Sequence, residues 1–150
     1  RDTGLLDETR LSGARARYRT MSTDIKDDRR YTKDHEWAQA RDGEILIGIT
    51  AYAVEQLGDI TLVNIDVSAG DAVESGKGFG TVESVKTLAD LFAPIGGKIT
   101  RVNDKLEDQP ELVNDDCYGE AWMVAIEGDE AAIADLLSPS DYEKLLSEQD

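Results

Sequence analysis

The chain has 150 residues, of which 40% are hydrophobic and 32% charged, so it is long enough for one globular domain and too short for two of ordinary size. Its formal net charge of -16 argues against nucleic acid and anionic membrane surfaces as partners, because both attract lysine and arginine. One cysteine (Cys117) and one histidine (His35) provide neither a disulfide framework nor a Cys/His zinc site, and without an apolar run of about 18 residues no transmembrane span is expected.

Residues 1–20 differ in composition from the rest, since they are rich in arginine and the acidic excess lies beyond them. Met21 fits a native start, so we expect an upstream extension that is disordered and functionally silent. A transit peptide is the alternative, but the acidic residues among the first eight do not suit its acid-poor pattern. The chain is therefore divided into this extension and one domain, residues 21–150.

The domain opens with a predicted β-hairpin. Tyr31–Ala38 and Glu44–Ile49 contain the aromatic and β-branched residues that are typical of strands. The dipeptide Asp42-Gly43 between them favours a tight turn. We therefore expect two antiparallel strands that are joined at this dipeptide.

A short helix and a further strand are predicted next. The hydroxyl of Thr50 is suited to cap the helix, and Gly58 is suited to end it after Leu57. The stretch Ile60–Val67 then alternates, which indicates a strand. The alternation predicts one face made of Ile60, Leu62, Asn64 and Asp66, and an opposite face made of Thr61, Val63, Ile65 and Val67.

The stretch Gly78–Pro94 predicts a hairpin with one lysine at its tip. Its flanks are short, rich in β-branched and aromatic residues, and bounded by glycine and proline, which favours two strands over one helix. The midpoint falls at Val85-Lys86, where a modifying enzyme can reach the side chain. The turn lacks the Asn-Gly or Asp-Gly signature of tight hairpins. From these residues alone, a lysine on an ordinary solvated loop remains the alternative.

Beyond this hairpin the pattern changes from strands to helices. Gly97–Asn103 predicts a strand, Asp104–Asp116 a polar loop with one helical turn, and Tyr118–Glu127 contains a last strand. Two acidic helices are predicted over Asp129–Leu137 and Ser140–Glu148. The predicted fold class is therefore mostly β: a flattened antiparallel β barrel or sandwich with a short internal helix and C-terminal helices.

A series of ordered motifs resembles the H protein family of the glycine cleavage system, which has the biotinyl/lipoyl type of fold. The resemblance runs from about Tyr31 to Glu148 without a large gap. The motifs are Asp34-His35-Glu36-Trp37, Ile47-Gly48-Ile49-Thr50, Leu57-Gly58-Asp59-Ile60, Val82-Glu83-Ser84-Val85-Lys86, Asp90 with Ala93-Pro94, Pro110-Glu111-Leu112-Val113-Asn114 and Tyr118-Gly119-Glu120-Ala121-Trp122.

The resemblance implies a non-catalytic carrier whose cofactor is lipoic acid, joined by an amide bond to Lys86. Glu83, Ser84 and Val85 complete the attachment motif around that lysine. Such a cofactor would carry the chemistry that the side chains of the protein cannot perform. A strained dithiolane opens readily, and its two thiols can later close again by exchange.

With the resemblance in view, Glu36 and Asp90 are expected to hold the loaded arm against a partly exposed surface, and ordinary surface carboxylates are the alternative interpretation of both. The loaded arm ends in an amine that is cationic near neutral pH, and carboxylates would accept charge-assisted hydrogen bonds from it. Family members commonly have Asp-His where this chain has Ala51-Tyr52. No contact of the arm is therefore assigned to these two residues.

The implied partners are the enzymes that load, unload, reoxidise and modify the carrier. They are the pyridoxal-phosphate glycine decarboxylase (P protein), the folate-dependent aminomethyltransferase (T protein), dihydrolipoamide dehydrogenase (L protein), and a lipoate ligase or octanoyl/lipoyl transferase. The expected location is the cytoplasm, or the mitochondrial matrix in a eukaryote. No nucleic acid and no membrane are expected among the partners.

Two further classes of protein remain as alternatives. A biotin carrier domain shares this architecture, but such domains typically have Met on both sides of the lysine, where Val85 and Thr87 stand here. An H-like protein that donates lipoyl groups outside glycine cleavage would have the same lysine motif. An enzyme is the least expected class, because no nucleophile with a base, paired-carboxylate cleft or phosphate loop is present, and His35 is expected to be structural.

Overall fold

The strands form two antiparallel sheets in a computed structural model that describes residues 24–149. The strands are β1 (Arg30–Tyr31), β2 (Glu36–Arg41), β3 (Glu44–Ile49), β4 (Ile60–Ile65), β5 (Ala72–Val73), β6 (Gly78–Ser84), β7 (Leu88–Phe92), β8 (Gly97–Val102) and β9 (Val124–Glu127). The helices are α1 (Ala51–Leu57), α2 (Lys105–Asp108), α3 (Leu112–Asp115), a 3₁₀ helix (Glu130–Asp135) and α4 (Pro139–Gln149). The extension predicted over residues 1–20 lies outside the described residues.

The two sheets share one hydrophobic core and form a sandwich, not a closed barrel. The larger sheet has the order β1-β2-β3-β9-β8-β5, and the smaller sheet has the order β4-β6-β7. Ile47 and Ile126 of the larger sheet are buried in the same cluster as Val82 and Leu91 of the smaller sheet. Each buried aliphatic side chain contributes about 1.5–3 kcal/mol. The mostly β, antiparallel fold class predicted from the sequence is confirmed, and of the two predicted forms the sandwich is the observed one.

The first predicted turn and the first predicted helix are confirmed. Asp42 and Gly43 have φ values of 54° and 84°, as the hairpin between β2 and β3 requires of both central residues of a tight turn. The Thr50 hydroxyl accepts a hydrogen bond from the backbone N–H of Ala53 at 3.2 Å and caps α1. Gly58 ends α1 with φ 83°.

The first predicted strand is wrong in its continuity. A turn interrupts Tyr31–Ala38, so that β1 and β2 are separate strands. The Thr32 hydroxyl accepts hydrogen bonds from the N–H groups of Asp34 and Glu36 at 3.2 Å each, and His35 takes the left-handed φ of 69°. Hydrogen bonds between a side chain and its neighbouring backbone therefore outweigh the strand propensity of this stretch.

The predicted alternation over Ile60–Val67 is confirmed from Leu62 onward and is wrong at the start of the strand. Ile60 is buried and Thr61 is exposed, the reverse of the faces predicted for them. A β-bulge lies between Ile60 and Leu62, and it shifts the pairing of β4 with β6. As a result Ile60 and Val63 are both buried, whereas Leu62 is exposed. One extra residue in one strand reverses the face of every residue that follows it.

The C-terminal part contains more short helices than predicted. The stretch Asp104–Asp116 forms two single-turn helices, α2 and α3, and not a loop with one turn. The helix predicted over Asp129–Leu137 is a 3₁₀ helix, while the helix predicted over Ser140–Glu148 is confirmed as α4. The short helices pack through single apolar residues, of which Leu106 and Val113 are buried.

An aromatic cluster covers the other face of the larger sheet. Successive residues of a strand point to opposite faces, and Leu46 belongs to this second cluster while its neighbours belong to the main core. Tyr142 of α4 stacks on Tyr31 with ring centroids 4.6 Å apart. The guanidinium of Arg29 lies 4.6 Å from the ring centroid of Trp37. These contacts dock α4 and the segment before β1 on the sheet.

Candidate functional site

The β6–β7 hairpin presents Lys86 at its tip, as the sequence predicts. The Ser84 N–H donates to the carbonyl of Thr87 at 2.8 Å, and the Ser84 hydroxyl accepts from the N–H groups of Lys86 and Thr87 at 3.1 Å each. A serine side chain thus closes the turn that lacks an Asn-Gly pair. Lys86 itself is exposed. The position of the hairpin is confirmed, and the sequence signal that was missed is this serine.

The loop between α1 and β4 supports the tip of the hairpin. The N–H of Val85 donates to the carbonyl of Asp59 at 3.0 Å. The aliphatic stem of Lys86 lies over Gly58, where an added Cβ would come within 3.3 Å of the lysine Cε. The tip is therefore anchored on one side of the lysine, and the stem rests on a residue without a side chain.

An apolar row runs across the smaller sheet next to the lysine. Leu62 pairs with Glu83, and Glu83 pairs with Leu88, so the three residues lie side by side on the outer face. Leu62 is 42% exposed, Leu88 58% and Val85 67%, and these are the exposed large hydrophobic side chains of residues 24–149. The surface around the tip is therefore apolar, with one carboxylate at its centre.

A groove of about 180 Å³ lies beside the hairpin. Its floor is apolar and includes the buried Ile49, Leu57, Val82 and Leu91, and its rim is polar. Leu57 directly precedes Gly58, on which the stem of the lysine rests. The groove therefore includes the residue that precedes the support of the lysine stem.

Glu36 reaches this groove from β2, and it is buried rather than partly exposed as predicted. Its Oε2 accepts from the N–H of Phe92 at 3.2 Å, and its Oε1 accepts from the Thr32 hydroxyl at 2.9 Å. The side chain is 2% exposed, and burial raises its pKa to about 7, although the two hydrogen bonds partly oppose this rise. Near neutral pH the carboxyl group of Glu36 is therefore divided between its charged and neutral forms.

Asp90 lies on the same groove from the returning strand of the hairpin. It pairs with Thr81 across the β6–β7 ladder and is exposed. Glu36 and Asp90 are thus brought to one groove although they are far apart in the sequence. One of the two carboxyl groups is buried and the other faces water, so they differ in how strongly a nearby cation would affect them.

His35 is held at the rim of the groove in a structural arrangement. Its Nδ1 lies 2.8 Å from the hydroxyl of Tyr142, which in turn lies 2.7 Å from the hydroxyl of Thr50. Its ring packs on Tyr52 with centroids 4.6 Å apart. Burial lowers the pKa of His35, so it is neutral at neutral pH. The ring connects α4 to α1 by packing and hydrogen bonding.

Cys117 lies outside the groove and is half-buried. Burial raises its pKa to about 12, and its carbonyl accepts a hydrogen bond from the indole N–H of Trp37 at 3.1 Å. A nucleophilic cysteine reacts as the thiolate, and the raised pKa of Cys117 disfavours that form. Within residues 24–149, no group of three or more His, Cys, Asp and Glu side chains is arranged to hold a metal ion.

The antiparallel sandwich and its lysine hairpin define a carrier domain of the biotinyl/lipoyl class. The family model of the glycine cleavage H-protein matches residues 29–149. A curated relative from Natronomonas pharaonis, described as a probable glycine cleavage system H protein, is 46% identical over 123 residues, which cover 82% of this chain and 97% of the relative. The glycine cleavage system H protein of Carboxydothermus hydrogenoformans is 46% identical over 127 residues, which cover 83% and 96% of the two chains.

A solved structure gives the same assignment. The crystal structure of a glycine cleavage system H protein from Mycobacterium marinum aligns with a TM-score of 0.75 and 38% identity, covering 82% of this chain and 99% of that chain. The chain belongs to the glycine cleavage H-protein family. The predicted function and cofactor, those of a lipoyl-bearing carrier in glycine cleavage, are confirmed at the level of the family.

Proposed function

We propose that Lys86 carries the lipoyl group of this H protein. The observation that supports this most directly is an exposed lysine on a braced hairpin, beside a groove that is apolar at its floor and carboxylate-lined at its rim. In attachment, the deprotonated Nζ attacks the carbonyl carbon of an activated lipoyl or octanoyl group, the activating group leaves, and the nitrogen loses a proton to become an amide. The residues present fit the cofactor, because the aliphatic stem of Lys86 rests on Gly58 while the residue is exposed to solvent.

The groove beside the lysine is suited to hold the end of the arm. The lipoyl group, when bound, supplies the dithiolane that accepts an aminomethyl group from glycine. Glu36 and Asp90 accept hydrogen bonds from a cationic amine at this place, and the apolar floor limits the access of water. A cation beside Glu36 favours its charged form and would lower the pKa of its carboxyl group, so a proton held there would pass to water. The same carboxyl group is partly neutral when no cation is near.

The partners act on the arm, and the chain itself is a non-catalytic carrier. They are a pyridoxal-phosphate glycine decarboxylase, a folate-dependent aminomethyltransferase, dihydrolipoamide dehydrogenase, and a lipoate ligase or octanoyl/lipoyl transferase. The attaching enzyme acts at Nζ, within the reach of one lysine side chain, so it contacts the neighbours of the lysine. The apolar row of Leu62 and Leu88 with Val85 supplies that contact surface, and the carboxylate of Glu83 favours a basic residue at its centre.

The cytoplasm is the proposed location, or the mitochondrial matrix if the source is a eukaryote. The relatives described above that support it come from an archaeon and a bacterium. Among the described residues, no helix has both the length and the apolar character needed to cross a membrane.

The attachment site is tested by the mass of the peptide that contains Lys86. Wild type, Lys86→Arg and Lys77→Arg are produced in cells supplied with lipoate. We expect wild type and Lys77→Arg to carry the lipoyl mass on Lys86 and Lys86→Arg to carry none, because a guanidinium stays protonated and does not attack. Lys77 is the matched control, since it is also an exposed lysine. Lipoyl mass on Lys86→Arg, or on another lysine of the wild type, contradicts the proposal.

The role of the groove is tested separately by the double variant Glu36→Gln with Asp90→Asn. A charge-assisted hydrogen bond contributes about 1.5–3 kcal/mol where it is buried, as at Glu36, and about 1 kcal/mol or less where it is exposed, as at Asp90. Ammonia should therefore be lost from the loaded carrier at least several-fold faster than in wild type, with lipoylation unchanged. The control is Glu74→Gln with Asp104→Asn, which removes the same charge from exposed positions that do not line the groove. Equal rates of ammonia loss in wild type and the groove variant would leave the two carboxyl groups without this role.

A further inference from the structure

We propose that Asn114 is a positioning residue that sets the hairpin tip for modification, an inference that rests on Lys86 being the attachment site. The side-chain amide of Asn114 bridges the loop between α1 and β4. Its Nδ2 donates to the carbonyl of Gly58 at 3.0 Å, and its Oδ1 accepts from the N–H of Ile60 at 2.8 Å. The orientation of the amide follows from its partners, since a carbonyl only accepts and an N–H only donates.

This bridge leads directly to the tip of the lysine hairpin. The residue between the two contacts is Asp59, whose carbonyl accepts the N–H of Val85 at 3.0 Å. Gly58, the other end of the bridge, lies under the stem of Lys86. Asn114 therefore fixes both ends of the short loop that holds the hairpin immediately before the lysine and supports the lysine itself.

The fold gives Asn114 a rigid base from which to act. It lies on α3, next to Val113, which is fully buried, and Leu112, which packs on the main core. The apolar pair thus anchors a single helical turn, and the next residue points its amide at a loop more than 50 residues away in the sequence. The motif from Pro110 to Asn114 lies outside the attachment motif and the groove. The two hydrogen bonds of Asn114 give the last residue of this motif a structural role.

Loss of the bridge should weaken recognition by the attaching enzyme more than the chemical step. Without the amide, the loop and the tip sample several arrangements, and only one of them fits the enzyme. The apparent affinity for the enzyme equals the intrinsic affinity multiplied by the fraction of molecules whose tip is in the competent arrangement. Two hydrogen bonds of ordinary strength correspond to about a thirtyfold change. We therefore expect Asn114→Ala to raise the KM for the carrier by up to about thirtyfold and to leave kcat within about twofold.

Asn103 provides a matched control within the same chain. Its Nδ2 also braces a loop, donating to the carbonyls of Glu120 at 2.8 Å and Trp122 at 2.6 Å. Those partners belong to the turn before β9 and not to the loop under the lysine. Both Asn103→Ala and Asn114→Ala should therefore lower the melting temperature, but Asn103→Ala should leave the KM for the carrier unchanged.

The experiment measures steady-state attachment of lipoate to the full chain by a lipoate ligase with ATP, together with hydrogen exchange of the Val85 amide. Asn114→Asp keeps the acceptor for Ile60 but places a carboxylate oxygen against the carbonyl of Gly58, where two acceptors repel. Its KM should therefore rise at least as much as that of Asn114→Ala. The exchange rate of the Val85 amide should be higher than in wild type in both Asn114 variants. In Asn103→Ala this rate should equal that of wild type.

Two outcomes overturn the inference: a KM for Asn114→Ala equal to that of wild type, or an equal rise in KM for Asn114→Ala and Asn103→Ala. If Asn114→Ala does not fold, the same comparison is made with Asn114→Asp. Lipoyl mass away from Lys86 in the wild type would refute the attachment site itself. Normal labelling of Lys86 with unchanged kinetics in the variants would refute only the positioning role.

Discussion

Replacing Glu36 by glutamine should change how the stability of the protein depends on pH. Burial raises the pKa of Glu36 from its ordinary 4.5 to about 7 in the folded chain. In the unfolded chain this carboxyl group is exposed to water and titrates near its ordinary value. The folded state therefore holds the proton more tightly, so this contribution to stability is complete below pH 4.5 and is lost as the pH rises through 7.

The size of this effect follows from the gap between the two pKa values. At about 1.4 kcal/mol for each tenfold change, the gap corresponds to about 3 kcal/mol. Glutamine does not titrate, and its oxygen still accepts from the N–H of Phe92, which bonds Glu36 in the wild type. The wild type should therefore lose stability between pH 5 and 8 while Glu36→Gln does not. The free energy of unfolding of Glu36→Gln minus that of wild type should rise by up to about 3 kcal/mol over this range.

Urea unfolding followed by tryptophan fluorescence at a series of pH values measures this difference. The control is Glu83→Gln, which removes the same charge from an exposed position. Its effect on stability should be small, since water screens an exposed carboxylate. If the curves for wild type and Glu36→Gln run parallel from pH 5 to 8, the buried carboxyl group does not titrate as the structure indicates.

Three further outcomes are expected. Cys117 should resist alkylation at pH 8 until the chain unfolds, because burial raises the pKa of its thiol to about 12; fast labelling of the folded chain would contradict this. Gly80→Ala should cost at least about 2 kcal/mol in urea unfolding, because its Cβ would collide with the Asn64 carbonyl, whereas Gly78→Ala, with its nearest atom at 3.6 Å, should cost clearly less. A chain without residues 1–20 should melt within about two degrees of the full chain; a clear fall would mean that this segment is docked.

The features that the sequence predicts well are those whose causes lie within a few residues. Thr50 and Gly58 bound α1 through their own cap contacts, so the helix is predicted at its observed ends. Asp42-Gly43 takes the two positive φ values that its turn requires. The lysine motif and its place at the tip are likewise visible as a pattern between bounding glycine and proline residues.

The wrong predictions arise where local preferences compete with one another. The Thr32 hydroxyl interrupts the first predicted strand by bonding the backbone of Asp34 and Glu36. A bulge in β4 exposes Leu62, which the alternation places on the same face as Ile60. In both cases one hydrogen-bonding choice decides the direction of several side chains.

The sequence by itself thus determined the strand-rich class, the short helix, the family and the lysine at a hairpin tip, because short-range chemistry and ordered motifs carry that information. Only the tertiary structure decided that Glu36 is buried, since its second hydrogen bond comes from Phe92 in a different strand. It likewise decided that Glu36 and Asp90 share one groove and that Asn114 braces the loop under the lysine. Contacts between residues more than 50 positions apart depend on how the two sheets pack, and no local pattern specifies them.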